Sequence, residues 1–187
     1  MFFFKRKDTA PVKLCFSTDI HCHLAPGIDD GQTDAAAAAE LVEVAAGWGL
    51  KKVFCTPHII QDRFENTPAT ISEAFARLVS AVKERGVEIE LDYSAEHRLD
   101  SFFLEELSKG HIRPFPNDYL LVENSFLSET WDMDQVLFDL KLKGFKPILA
   151  HPERYAYYFD KKGPLPSVAL CGNFVPGESA KSVGALR

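Results

Sequence analysis

Residues 133–151 read MDQVLFDLKLKGFKPILAH, and the order of elements in this stretch decides the fold class. Apolar side chains recur at helical spacing over residues 133–143, and Gly144 is a residue type that commonly ends a helix. The short apolar run 146–150 then predicts a buried strand, and His151 follows it directly. The stretch is therefore a helix and a strand that leads into a potential ligand.

The same unit recurs along the chain. One helix is predicted from a cap at Thr33 or Asp34 to an end at Gly47 or Gly49, and others over 71–85, 102–109 and 133–143. Strands are predicted over 12–16 (ending near Thr18), 52–55, 87–93, 119–123 and 146–150. Five strands separated by helices favour an α/β fold with a parallel sheet and right-handed crossovers, either doubly wound or a TIM-like barrel.

Size and charge exclude several classes of protein. The chain has 187 residues, 46% of them apolar, which suffices for one domain with its own core. Its net charge of −6 lacks the basic footprint of a nucleic-acid-binding protein. No apolar run reaches the length of a membrane span, and the charges after the apolar opening residues 1–4 are on the wrong side for a secretory signal. We therefore expect a cytoplasmic protein.

The four cysteines predict reduced thiols and no catalytic thiolate. They form no C-x-x-C pair and have no regular spacing, which argues against a disulfide scaffold or a zinc site. A cysteine-dependent tyrosine phosphatase needs an arginine six residues after its thiolate. The residues at that spacing here are His21, Ile28, Gln61 and Gly177.

Potential metal ligands follow each predicted strand. Because the carboxyl ends of parallel strands in a βα barrel meet on one face, we expect these side chains to converge there. Imidazoles and carboxylates together suit Zn²⁺, Mn²⁺ or Fe, and a carboxylate can bridge two ions. The candidates are His21, His23, His58, Glu96, Glu123 and His151.

Other polar residues have less specific interpretations. Asp29 and Asp30 are either turn formers before Gly31 or ligands. Arg154 is a guanidinium able to bind phosphate bidentately, or else it pairs with a neighbouring carboxylate such as Glu153. The remaining histidines, His97 and His111, fit no pattern and are expected to be solvated.

Three motifs together resemble a known family. They are DIHCHLAPGIDDG at residues 19–31, TPH at 56–58 and LAHPERY at 149–155, and they occur in this order. Over residues 13–162 the chain resembles the bacterial polymerase-and-histidinol-phosphatase (PHP) type protein-tyrosine phosphatases of capsular and exopolysaccharide operons. The resemblance implies a distorted, TIM-like (β/α)7 barrel with two or three metal ions, preferably Mn²⁺.

The resemblance also implies a role for each matched residue. His21, His23, His58, Glu96, Glu123 and His151 are ligands, Asp30 is a further ligand, and Arg154 binds phosphate. The implied substrate is the phosphotyrosine tail of a polysaccharide-biosynthesis tyrosine kinase, through which alone the protein would meet a membrane. Two alternatives stay open, a small-molecule phosphatase of histidinol-phosphatase type and a non-catalytic metal-binding fragment.

The last 25 residues depart from the family pattern. Residues 1–162 are expected to form a partial PHP barrel, and 163–187 lack the family segment and its Asp-x-His pair. If 163–187 are back-translated and read one base later, permitted codons encode ALFRALHSAGTLFQANLLSLSGLYG, which contains the missing segment. We therefore expect 163–187 to be an unstructured, out-of-frame tail, with the slip at the codons of Lys161 and Lys162 and an impaired activity.

Overall fold

The structure, a computed structural model, describes residues 14–159, 169–171 and 182–183. Nine strands and five α-helices lie within these ranges. The strands are β1 Thr18–Cys22, β2 Lys52–Cys55, β3 His58–Ile59, β4 Glu90–Tyr93, β5 Glu96–Arg98, β6 Tyr119–Glu123, β7 Lys146–Ala150, β8 Ala169–Cys171 and β9 Ser182–Val183. The helices are α1 Ala35–Gly47, α2 Pro68–Glu84, α3 Ser101–Lys109, α4 Met133–Leu142 and α5 Ala156–Phe159.

All ladders between these strands are parallel, and the strands follow one another in chain order. One sheet has the order β1-β2-β4 and the other the order β3-β5-β6-β7-β8-β9. Cys55 pairs with Tyr93 and His58 with Glu96, the same offset of 38 positions, so β2–β3 and β4–β5 are two strands that each run from one sheet into the other. This order lacks the reversal of a doubly wound sheet.

Helix caps are set by local sequence. Asp34 caps α1 by accepting a hydrogen bond from the Ala37 N–H, and Asp100 caps α3 through the Phe103 N–H. Thr67 and Thr70 form a reciprocal capping box at the start of α2, which Pro68 opens. These caps fix where the chain enters each crossover helix.

The alternation of side chains along the strands separates an outer core from an inner face. On β6, Leu120 and Val122 pack outward with residues of α3 and α4 such as Phe103 and Leu137. Leu121 packs in a separate inner cluster with Phe54, Phe115, Ile148 and Ala150. Because successive strand residues point to opposite faces, Glu123 lies on the same inner face as Leu121, at the carboxyl end of its strand.

Most predicted elements are confirmed, but the predicted position of the first strand is wrong. The predicted strand 12–16 falls partly outside the described residues, and β1 begins at Thr18, where it was expected to end. Residues 14–17 are irregular, because pairing with β2 begins only at Thr18 and Asp19, which lie opposite Lys52 and Val53. The helix and strand before Glu96 also shift, to Pro68–Glu84 and Glu90–Tyr93.

The expectation for the tail concerns residues that are largely outside the described ranges. Two short strands fall within it, β8 beside β7 and β9 beside β8. The proposed domain division at residue 162 stays a prediction. No helix in the described part of the chain is long and apolar enough to cross a membrane.

Candidate metal centre

Four imidazoles and two carboxylates meet near the carboxyl ends of β1, β6 and β7 and just after the ends of β2 and β4. His21 lies in β1 and His23 directly after it, while His58 begins β3. Glu96 begins β5, Glu123 ends β6, and His151 follows β7. The structure therefore brings together all six side chains that the sequence placed at strand ends, and five different strands supply them.

Glu96 lies at the middle of the cluster and is wholly buried. Its Oε2 is 3.1 Å from His21 Nε2, 3.3 Å from His23 Nε2 and 3.2 Å from His58 Nδ1. Its Oε1 is 2.7 Å from His151 Nε2. Burial alone raises the pKa of Glu96, but its contacts with His151, His21 and His23 outweigh the burial and hold that pKa well below its usual range.

A second carboxylate closes the cluster on the β6 side. Glu123 is also wholly buried, with Oε1 3.2 Å from His58 Nδ1 and Oε2 3.7 Å from His151 Nε2. His151 adopts a left-handed backbone conformation, with φ 33° and ψ 55°. Such a conformation is uncommon for a residue with a side chain and persists where the surroundings hold it in place.

The donor set fits divalent cations. Glu96 Oε2, Glu123 Oε2 and His58 Nδ1 are buried and make no hydrogen bond within the described residues, although nitrogen and oxygen atoms surround them. Two ligand atoms about 2.1 Å from one ion lie roughly 3.0–3.4 Å apart, which is the spacing found around Glu96. Three overlapping groups could each hold an ion: His21, His23 and Glu96; His23, Asp30 and His58; and His58, Glu96 and Glu123.

Asp29 orients one of these imidazoles and is not itself in any of the three groups. Its Oδ2 lies 2.7 Å from His23 Nδ1, which leaves His23 Nε2 toward Glu96. Burial alone lowers the pKa of His23, but the carboxylates of Asp29 and Glu96 outweigh it and raise that pKa to about 10. Asp29 also accepts hydrogen bonds from the backbone N–H groups of Gly31 and His58. The Asp-Asp-Gly turn thus holds two histidines in place.

Asp30 lies at the rim of the cluster, half-exposed. Its Oδ1 is 3.5 Å from His58 Nε2, and its Oδ2 accepts a hydrogen bond of 3.3 Å from Arg63 Nη2. The guanidinium of Arg63 lies over the ring of Phe64, whose ring in turn stacks on His58. Asp30 can therefore act as a ligand while a neighbouring cation offsets part of its charge.

The other singled-out residues have mixed outcomes. Arg154 is exposed in a short 3-10 turn, Pro152–Arg154, that begins directly after His151. His111 is exposed, as expected, with Nδ1 2.9 Å from Glu106 Oε2. The expectation that His97 is solvated is wrong, since it is 1% exposed and packs on Phe103. Its place between Glu96 and Arg98 in β5 turns it to the opposite face of the strand. Burial lowers its pKa to about 4.

Sequence reasoning missed two residues that contact the cluster, Arg98 and Arg63. Arg98 lies two positions after Glu96, and strand alternation places i and i+2 on one face, so this spacing was a usable signal. The sequence has no comparable signal for Arg63, because its contact with Asp30 depends on the loop that returns through the Ile60–Phe64 bridge.

With this geometry in place, comparison with known proteins gives the family. A sequence model described as "Capsular polysaccharide synthesis, CpsB/CapC" matches residues 17–180. The chain belongs to this CpsB/CapC family. It is 33% identical over 138 residues to the tyrosine-protein phosphatase YwqE of Bacillus subtilis, covering 73% of this chain and 54% of the relative. It is 30% identical over 141 residues to the tyrosine-protein phosphatase CpsB of Streptococcus pneumoniae, covering 73% and 57%.

The fold has a solved counterpart. A structure from work on YwqE and CpsB, described as unique metal-dependent tyrosine phosphatases, superimposes with a TM-score of 0.71 at 28% identity. The match covers 83% of this chain and 65% of that one. The chain thus spans about half the length of the curated relatives it matches.

Proposed function

We propose that this chain is a metal-dependent phosphoesterase that hydrolyses phosphotyrosine. The observation that carries the proposal is the convergence of four imidazoles on Glu96 and Glu123, two wholly buried carboxylates, at the ends of five parallel strands. The relatives of similar sequence are tyrosine phosphatases by name, and the structural neighbour is described as metal-dependent. Both support this reaction over other chemistry that a histidine and carboxylate cluster could perform.

We assign the ligand role to the cluster and its rim, and expect two or three Mn²⁺ ions. Such ions supply a Lewis acid for phosphoryl oxygens and lower the pKa of the water they coordinate. Overlap of the three ligand groups at Glu96, His23 and His58 supports a multinuclear rather than a mononuclear site. The proposed ligands are His21, His23, Asp30, His58, Glu96, Glu123 and His151.

Arg154 is the proposed phosphate-binding residue. It is exposed and follows His151 by three positions, so its side chain extends from backbone close to the cluster. A guanidinium matches two phosphoryl oxygens, and most catalysis of phosphoryl transfer is positioning and electrostatic stabilisation. A phenolate with a parent pKa near about 10 is a better leaving group than an alkoxide, so an aryl phosphate needs less help from a general acid.

The wider setting is proposed on the same basis. The parallel strands in chain order suit a distorted β/α barrel of seven units, of which the strands through β7 form the first five. We place the protein in the cytoplasm, acting on the phosphotyrosine tail of a tyrosine kinase of capsule or exopolysaccharide synthesis. The family description supports this pathway.

The deciding experiment measures hydrolysis by the purified 187-residue chain with Mn²⁺. A phosphotyrosine peptide and histidinol phosphate are compared as substrates, because preference for the second would favour the small-molecule alternative. Activity should disappear with a chelator and return with Mn²⁺. It should survive Cys22→Ser, because no thiolate takes part, whereas His21→Ala should lose metal. Inactivation by thiol alkylation with metal retained would contradict the proposal.

A second arm compares this chain with one whose codons from 163 onward are shifted by one base. We expect the shifted chain to turn over at least about tenfold faster, since losing one ligand, or one side chain that orients a ligand, commonly costs that much. Equal turnover by both would show that the first five strand ends suffice for activity, and it would remove the argument from the missing Asp-x-His ligands. Metal binding without turnover by either chain would favour the non-catalytic alternative.

A further inference from the structure

Arg98 lies at the carboxyl end of β5, directly across from a proposed ligand. The parallel ladder between β5 and β6 pairs Arg98 with Glu123. Glu96 and Arg98 are two positions apart in one strand, so both point to the inner face, where Glu123 also lies. The fold therefore places a guanidinium beside the metal centre without making it a ligand.

The contact between Arg98 and Glu123 is directional. Arg98 Nε and Nη2 each lie 3.2 Å from Oε1 of Glu123. Oε2 of the same carboxylate is buried, makes no hydrogen bond within the described residues, and lies 3.7 Å from His151 Nε2. Oε1 is thus held between the guanidinium and His58 Nδ1, also 3.2 Å away, while Oε2 faces His151.

Burial makes this contact costly to lose. The Glu123 side chain is wholly buried and that of Arg98 is 18% exposed. A buried carboxylate needs an opposite charge or hydrogen bonds, and the planar guanidinium supplies both in a fixed orientation. Neighbouring Glu96 is contacted by the imidazoles of four histidines, whereas Glu123 is contacted by His58, more distantly by His151, and by the guanidinium of Arg98.

We infer that Arg98 is a positioning residue for metal binding, acting through Glu123. It fixes the rotamer of Glu123, so that the carboxylate already faces His58 and Glu96 before an ion binds. This inference rests on the proposed metal centre but not on hydrolytic activity. The positive charge of Arg98 also repels a nearby divalent cation, but a Glu123 carboxylate without Arg98 would be free to turn away from the cluster, so the orienting effect outweighs the repulsion. Partners of this kind typically alter metal affinity by about 10–100-fold.

The test measures Mn²⁺ dissociation constants by competition with a fluorescent chelator, with no turnover involved. Arg98→Gln should bind the ion contacted by Glu123 about 10–100-fold more weakly, because the side chain loses its charge and the paired N–H donors that contact Glu123. Arg98→Lys keeps the charge but not the paired donors and should be intermediate. In a Glu123→Gln background, Arg98→Gln should cause no further loss of Mn²⁺ affinity, since Arg98 acts through that carboxylate.

A matched control separates positioning from mere stability. Arg85→Gln removes a similar guanidinium–carboxylate contact, with Glu43 on the surface, and should leave Mn²⁺ affinity unchanged. Melting temperatures without metal verify that each variant is folded, and Arg98→Lys carries the test if Arg98→Gln does not fold. Wild-type affinity in both Arg98 variants, or an equal loss with and without Glu123, overturns the inference. A wild-type chain that binds no Mn²⁺ overturns it together with the proposed function, whereas binding without hydrolysis removes only the function.

Discussion

Gly31 packs directly against the backbone of His23. A Cβ at Gly31 would meet the carbonyl oxygen and the Cβ of His23 at less than any normal non-bonded distance, and it would also touch Asp29 Oδ1 at 3.0 Å. The Gln32 N–H donates a hydrogen bond to that same His23 carbonyl. The backbone of His23, the histidine that Asp29 orients, therefore packs against a position where only glycine fits.

Gly31→Ala should displace His23 and weaken metal binding by at least about tenfold, as loss of a ligand-orienting contact does. Metal content after dialysis, measured by mass spectrometry, checks this. Gly47→Ala is the matched control, because a Cβ there meets nothing within 4 Å, and α1 should gain slightly in stability. Full metal content in Gly31→Ala would show that the turn can open without moving His23.

His97→Leu should raise the free energy of unfolding by about 1 kcal/mol. Neither ring nitrogen of His97 makes a hydrogen bond within the described residues, although the side chain is fully buried, and a leucine of similar size removes that desolvation cost. Urea denaturation measures the change. The control, His111→Leu on the surface, should stay within about 0.5 kcal/mol. Destabilisation by His97→Leu would mean that the imidazole has a partner.

Tyr155→Phe should destabilise the protein by about 1–3 kcal/mol. The Tyr155 hydroxyl accepts a hydrogen bond of 3.0 Å from the buried backbone N–H of Asn124, the residue after Glu123, and the variant leaves this donor unpaired. Tyr119→Phe, at a partly exposed position on β6, should change stability by less than about 0.5 kcal/mol. Equal effects of the two substitutions in thermal unfolding would argue against the role of this hydrogen bond.

A chain ending at Lys162 tests the expectation for the tail. If residues 163–187 are an unstructured tail, its melting temperature should stay within about 2 °C of the full chain, because no more than about 0.5 kcal/mol is lost. Scanning calorimetry of both chains gives the comparison. A drop of more than about 5 °C would mean that the pairing of β8 with β7, at three residue pairs, contributes to the fold.

The sequence alone determined the succession of elements and the identity of the ligand candidates. The alternation of helix, glycine, apolar strand and reactive side chain is local, so β2, β6 and β7 were located to the residue. The strand-end rule then placed His21, His58, Glu96 and Glu123 together without coordinates, because parallel strands share the edge at which they end.

Only the tertiary structure decided how these side chains contact one another. Register between strands is a long-range property, and it alone set Arg98 opposite Glu123 and brought β1 in at Thr18 rather than before it. The burial of His97 depended in the same way on which face of β5 turns toward α3. Local sequence specifies the conformation of a segment, whereas the partner of a side chain depends on segments distant in the chain, whose packing no short motif encodes.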